Sequence, residues 1–284
     1  QTLFMYVWKD RELVMDILER LTGNRVNYGM NTIGGVRRDI DLVEADEVLK
    51  ALDILEERTS YYIKICTEDQ SIIARLAGVG KLSREEALRL GAVGPVLRAS
   101  GVKHDVRKDD PYDAYPELEF NVITDDHADV LGRTIVRVFE IMESYKLCRQ
   151  VIRNIPDGPI AVKVPTKIPV GEAFSRYEAP RGEDIHYVRS NGTDHPERVK
   201  VRAPTLANLA SITNMIEGGY LADVPIVIAA IDPCFSCTDR MIRVQDSRTG
   251  QEKRFDWAGL RQYSIDWYQK QGVDLSHMNA ARRD

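Results

Sequence analysis

Apolar residues recur at helical spacing from the first residues of the chain: Leu3, Val7, Leu13, Val14, Ile17, Leu18 and Leu21, with Gly23 as the stop. The pattern predicts a helix over 2–22 that is already under way at its start, with no capping box before it. A long amphipathic helix is predicted over 41–66. A short one is predicted over 83–91, where Ser83 stands three residues before Glu86 and Gly91 closes the turn. The longest helix is expected over 125–155, capped by Asp125 or Asp126 and ended by Pro156. The paired glycines of "NTIGGVRRD" (31–39) predict a turn at which the backbone approaches something closely. Further on the period falls to two. "EAFSRYEA", "EDIHYVRSNG" and "ERVKVRAP" alternate, with Asn191-Gly192 as a hairpin turn, and predict a small antiparallel sheet. "TLANLASITNMIEGG" (205–219) returns to helix, and the apolar run 222–233 delivers two cysteines, Cys234 and Cys237. The expected class is mainly α (α+β), a long-helix bundle with a small antiparallel β element.

Segment 94–120 breaks the helical pattern. Rich in Gly, Pro and Asp, it is predicted as a long ordered loop carrying His104, Asp105, Arg107, Asp109, Asp110 and Tyr112. Two readings stay open for it, a solvated charged loop and a coupling element.

Composition narrows the function classes. The chain has 284 residues, 43% apolar and 29% charged, with a net charge of −5, so a general grip on nucleic acid is not expected. No apolar run reaches the length of a membrane span. Four scattered cysteines make no disulfide framework, which points to a reducing compartment. No Gly-x-Gly-x-x-Gly pattern follows a strand, so no nucleotide site is expected. His127, His186, His195 and His277 lack ligand spacing.

"IDPCFSCTDRM" (231–241) is the chemically loaded stretch. If Cys234 opens a helical turn, both sulfurs lie on one face and reach one centre. Thiolates there select zinc, copper(I), iron or nickel. A redox disulfide and half of a structural zinc site are the alternatives; the first lacks a thioredoxin-like βαβ pattern and the second lacks partners. Cys66 and Cys148 fall singly within predicted helices and read as buried packing. Asp232-Pro233 reads as a helix start, Asp as cap and Pro at the first position.

The flanks add a resemblance. "DPCFSCTDRM" resembles the C-terminal metal motif of the large subunit of nickel-iron hydrogenases, Asp-Pro-Cys-x-x-Cys-x-x-His/Arg, and Arg240 followed by Met241 resembles its energy-converting, membrane-associated class, formate hydrogenlyase included. "YEAPRGE" (177–183) is similar to the segment over the bimetallic centre in that family, and "RAPTLANL" (202–209) follows in the family's order. "GGVRRDI" and "GPVLRASGVKHDVRKDDPYDAY" also resemble the 49 kDa (quinone-site) subunit of respiratory complex I, which shares the fold. The resemblance implies a hydrogenase large-subunit-like domain over 1–240. It makes Cys234 and Cys237 two of four thiolate ligands of a nickel-iron centre with cyanide and carbonyl on iron. Arg181 becomes a guanidinium over the open metal position, Asp232 its holder, and Pro180 and Thr205 the lining of the pocket for the iron's ligands.

Two departures from the family pattern matter. The second Cys-x-x-Cys pair of the family has no counterpart here, and we expect it on a preceding segment. The family's maturation protease cuts after the position of Arg240, before Met241, so 241–284 resembles the cleavable extension in unprocessed form. The implied partners are an iron-sulfur small subunit, membrane-arm subunits, a maturation endopeptidase and a nickel-insertion chaperone. The implied location is the inner face of the cell membrane, reached through partners. The expected reaction is interconversion of dihydrogen with protons and electrons, and the 284-residue chain alone is expected to be inactive. A complex I-like subunit with a vestigial metal site and a docking scaffold are the alternatives.

Overall fold

A computed structural model describes residues 2–238, 242–245 and 249–272. The chain divides into two compact units, residues 1–237 and 238–284, each taken here by itself. The first begins with α1 (Thr2–Thr22), a tight β1–β2 turn (Asn31–Thr32, Gly35–Val36) and α2 (Leu42–Glu68). A Cβ on Gly35 would lie 2.2 Å from the Ile160 carbonyl oxygen, so the paired glycines do mark a close backbone approach. Asp41 opens α2 with a reciprocal capping box: its carboxylate accepts the Glu44 N–H, and Glu44 accepts the Asp41 N–H. Val48, Leu52, Leu55, Thr59, Tyr62 and Cys66 form the buried stripe of this helix at steps of four and three.

Short helices follow: α3 (Gln70–Leu76), α4 (Arg84–Arg89), α5 (Gly94–Arg98) and α6 (Val106–Asp109). They lead to α7 (Val130–Arg153). The α2 stripe packs on α7, where Thr59 and Tyr145 share a hydrogen bond of 2.9 Å. The main apolar core gathers Leu82, Val96, Val130, Val227 and Ile231 among others, from α3–α5, the start of α7, α8 (Pro204–Ile216) and α9 (Val224–Ala230). Strands β3 (Gly171–Ala179), β4 (Gly182–Ser190) and β5 (Pro196–Arg202) form one antiparallel sheet in chain order. The second unit contains a β6–β7 hairpin (Ile242–Gln245, Glu252–Phe255) and α10 (Trp257–Lys270). Among the described residues no helix is long and apolar enough to cross a membrane.

Several sequence expectations are corrected. The longest helix is α2, with 27 residues, rather than α7, with 24. The cap of α7 is Asp129, which accepts the Gly132 N–H and also the Gly78 N–H, tying the helix start to the α3–α4 connection. The β4–β5 connection runs over 191–195 rather than closing at Asn191-Gly192, and the two-residue turn of the sheet is Pro180-Arg181, between the paired Ala179 and Gly182. Segment 94–120 is not a solvated loop. It holds α5, α6 and a 3-10 turn (Tyr115–Glu117), and Val96, Ala99 and Val106 are wholly buried. Its charges go inside because they pair there. The Arg98 side chain, 2% exposed, is gripped by Glu140 at 2.6 Å and Glu178 at 2.7 Å, and Asp105 takes Arg107 at 2.6 Å. Cys148 is exposed on α7 in the wall of an apolar groove, not packed in a core; Cys66 is buried as expected.

Replacing Arg98 with Met leaves two carboxylates facing each other without their cation. We expect a loss of about 3–5 kcal/mol in urea unfolding, and a loss below about 1 kcal/mol would show that the buried triad is not a structural tie.

Candidate functional site

The site is built at the tip of the β3–β4 hairpin. Pro180 and Arg181 are its two turn residues, so the Arg181 side chain is carried on a short, strand-anchored loop. The tip is fixed from below. A Cβ on Gly94 would lie 2.4 Å from both the Arg181 carbonyl oxygen and Gly182 Cα, so two main chains cross there with no room for a side chain. Gly94 has φ +65° and Gly182 φ +125°, which glycine alone adopts readily. Asn208, wholly buried on α8, clamps the neighbouring Val93 by accepting its N–H at 3.0 Å and donating to its carbonyl at 3.3 Å.

Arg181 is held by Asp232 in two ways. Nε donates to the Asp232 main-chain oxygen at 2.6 Å and Nη2 donates to the carboxylate at 3.1 Å. Asp232 does not cap a following helix, as its place before Pro233 suggests. It lies just past the end of α9, its N–H donating to Ala229 O, in the left-handed conformation with φ +54°. Asp tolerates this region better than most residues, and such strain gathers where a side chain must be aimed. Arg137 of α7 approaches the same carboxylate at 3.8 Å and donates to Ala230 O at 3.0 Å. Burial pushes the Arg137 guanidinium below its usual range, with Asp232 opposing the shift.

Cys234 and Cys237 stand at either end of a 3-10 turn (Phe235–Cys237 with Cys234 before it), closed by the Cys237 N–H on Cys234 O at 3.1 Å. Thr205, wholly buried at the start of α8, accepts the Cys234 N–H at 3.2 Å. Its hydroxyl therefore sets the thiol turn. The Ser236 hydroxyl, 3.1 Å away, draws the Cys234 thiol down to about 7, and a hydrogen bond with Cys237 helps. Burial pushes Cys237 up, as does the charge on Cys234; Arg181 pulls it down, which places the guanidinium within electrostatic reach of that sulfur. Beside them Tyr177 donates to Asp184 at 2.8 Å and lies 3.4 Å from His186. Burial and the Asp184 bond push this phenol up to about 12. The second Asp184 carboxylate oxygen is buried without a partner.

The structure thus brings together Arg181, Asp232, Cys234, Cys237 and Thr205. Pro180 lies next to them in the wall of a cavity of about 420 Å³ that Asp232 also lines. Arg240 and Met241 lie outside the described residues. Sequence reading missed Arg137, Asn208, Tyr177 and Asp184; the last two stand within or next to "YEAPRGE", which was the available signal. Two adjacent thiols, one ionising near neutrality, form a donor pair of the kind that soft metal ions take. Cys66 and Cys148 are on α2 and α7 and do not join them.

A model of the family described as the respiratory-chain NADH dehydrogenase 49 Kd subunit matches residues 1–168 and 161–240. Carbon monoxide-induced hydrogenase of Rhodospirillum rubrum is 41% identical over 240 residues, covering 84% of this chain and 66% of the relative. The alpha subunit of the membrane-bound hydrogenase of Pyrococcus furiosus is 40% identical over 263 residues, covering 87% and 62%. A subunit of the NADH-quinone oxidoreductase of Rhizobium etli is 35% identical over 267 residues, covering 84% and 66%. A chain in the solved structure of the membrane-bound sulfane sulfur reductase, an archaeal respiratory membrane complex, superposes with a TM-score of 0.77 at 35% identity, over 81% of this chain and 64% of that one. The chain therefore spans just under two thirds of the length of these relatives.

Two measurements check the site. Gly94→Ala should cost about 2–5 kcal/mol, from the left-handed backbone and overpacking together, and should raise the pH at which Cys237 is alkylated, because Arg181 moves; a variant of native stability and unchanged thiol reactivity would refute the crossing as the anchor. In the metal-free chain, iodoacetamide should modify Cys234 with half-maximal rate near pH 7 and Cys237 only at higher pH. Identical profiles at the two positions would contradict the assigned asymmetry.

Proposed function

The chain belongs to the family of the respiratory-chain NADH dehydrogenase 49 kDa subunit, and from that premise we propose that it is the metal-site part of a nickel-iron hydrogenase-type catalytic subunit in a membrane-bound energy-converting complex. The observation that carries this reading is the Arg181 guanidinium locked by Asp232 beside the Cys234–Cys237 pair. Identity of 41% and 40% to the two hydrogenases, against 35% to the NADH-quinone oxidoreductase subunit, supports it.

Cys234 and Cys237 would hold one side of a nickel-iron centre with cyanide and carbonyl on iron, and two further thiolates would complete it. Such a centre supplies the redox metal for splitting and forming dihydrogen. The residues of this chain do the rest. Arg181 presents a fixed positive charge that polarises a small neutral substrate and stays aimed, because its Nε bond goes to a main-chain oxygen. Thr205 fixes the thiol turn through the Cys234 N–H. Pro180, which has no N–H, keeps one wall of the pocket free of a competing donor. Electrons would leave to an iron-sulfur small subunit, and membrane-arm subunits would place the complex at the inner face of the cell membrane. A maturation endopeptidase and a nickel-insertion chaperone would act on residues 241–284.

One observation favours a second reading. The matching family is described by a respiratory-chain NADH dehydrogenase subunit and a NADH-quinone oxidoreductase subunit is 35% identical, which suits a complex I-like subunit whose metal site is vestigial. The native complex separates the two. We expect nickel in stoichiometric amount and hydrogen-dependent dye reduction, with Arg181→Lys lowering kcat roughly 10²-fold at unchanged nickel content. A nickel-free complex that reduces quinone at full rate would sink the hydrogenase reading.

A further inference from the structure

The buried charges behind the hairpin are more than a structural tie. The cavity of about 420 Å³ runs from Asp232 and Pro180, beside Arg181, past Glu178, Arg98 and Glu140 to Ser144. It has space for several waters, and its charged lining suits them. Arg98 spans two carboxylates inside it. Nη1 donates to Glu178 at 2.7 Å and Nε donates to Glu140 at 2.6 Å. The two acids differ in access: the Glu178 side chain is 4% exposed and that of Glu140 20%.

We propose that Glu178 is a proton-holding residue of the Arg181 site, exchanging its proton through the water of this cavity, with Glu140 as the outlet to solvent. The proposal extends the reading of the site as one that releases and consumes protons. Glu178 stands three residues before Arg181 on the same hairpin, so a charge change at the site is felt at its carboxyl. Charged and polar groups face it from every side. Arg98 comes from α5, Asp105 is the cap of α6, and Arg107 lies in α6, whose Val106 N–H also donates to Glu178 at 3.2 Å. Arg137 and Glu140 come from α7. Glu183 lies opposite on β4, already taken by Arg176 and Arg202. Tyr112 accepts the Glu178 main-chain N–H. Counted together, Arg98, Arg107, Arg137 and Arg181 balance Asp105, Glu140, Glu178 and Asp232, so the fully ionised cluster is neutral and one added proton makes it cationic. Burial pushes the Glu178 carboxyl above the usual range; Arg98 opposes this and Asp105 adds to it. In the releasing direction a proton from the site binds a Glu178 oxygen, the Arg98 link loosens on that side, and the proton moves through cavity water to the Glu140 carboxylate and out. Glu178 ends as it began, and no electron moves in these steps.

Infrared titration of the full chain, from about pH 4 to about pH 9, tests this without any redox chemistry. A protonated carboxyl band should persist above the pH range in which ordinary glutamic acids ionise and vanish in Glu178→Gln. In Glu140→Gln the band should remain, but its deuterium exchange after a jump into heavy water should slow at least ~10-fold. A band that survives Glu178→Gln, or no band at all, overturns the proton-holding role, and unchanged exchange in Glu140→Gln overturns the outlet. Failure of the hydrogenase reading leaves both readouts intact, so the two failures are distinguishable.

Discussion

The molecule depends on one backbone crossing. At Gly94 and Gly182 two main chains pass so closely that neither tolerates a Cβ, and α5 is thereby pressed against the hairpin that bears Pro180 and Arg181. Asn208 holds one side of the crossing from α8, and four residues after Gly94 Arg98 reaches Glu178 on the same hairpin. The α5 segment therefore fastens the hairpin twice, once by contact without side chains and once by a buried ion pair. Arg181 inherits its position from both. A surface arginine on a free two-residue turn would lose its aim to rotamer entropy; this one is clamped at its main chain and again at its guanidinium by Asp232.

Burying so many charges is normally unfavourable, since desolvation rivals the Coulomb gain. The fold limits the cost by satisfying several of these groups more than once. Arg98 donates to Glu140, Glu178 and the His104 carbonyl, and Asp105 accepts from both the side chain and the main chain of Arg107. Arg133, like the Asp184 carboxylate, is less well served. Wholly buried, it makes one hydrogen bond, to Gly80 O, while Nε and Nη1 find no partner, and burial brings it down to about 10. Charge is thus concentrated at the cap and along one face of α7, at Asp129, Arg133, Arg137 and Glu140, and these groups bond to the α3–α4 connection, the end of α9 and α5.

Much of this was legible in the chain and some was not, for physical reasons. Periodicity located α1, α2, α4, α8 and the three-stranded sheet because each buries one face and alternates accordingly. It misjudged 94–120 because turn-rich, charged composition looks solvated until the partners are known: Arg98 and Glu178 are 80 residues apart in sequence and no local pattern pairs them. The cap of α7 was misplaced by a few residues because "DDHAD" offers three aspartates, and only the long-range Gly78 N–H selects Asp129. The site motifs were visible as motifs. What joined Arg181 to Asp232 was a resemblance; the geometry adds that a main-chain oxygen takes part, which no sequence pattern could state.

Rigidity is distributed unevenly across the site. The guanidinium is fixed by a strand turn, a glycine crossing and two hydrogen bonds, whereas the thiols, half-buried themselves, hang from a three-residue 3-10 turn whose Phe235 and Ser236 are exposed. The hydrogen bond from the Cys234 N–H to the Thr205 hydroxyl ties that turn to the body. A soft metal needs its ligands adjustable, because thiolate–metal geometry is set by the metal as much as by the chain, while a cation that acts at a distance must already be in place. The clamp on the arginine is built without the sulfurs: Gly94, Gly182 and the two Asp232 oxygens hold it, and none of them is a thiol ligand or its hydrogen-bond partner.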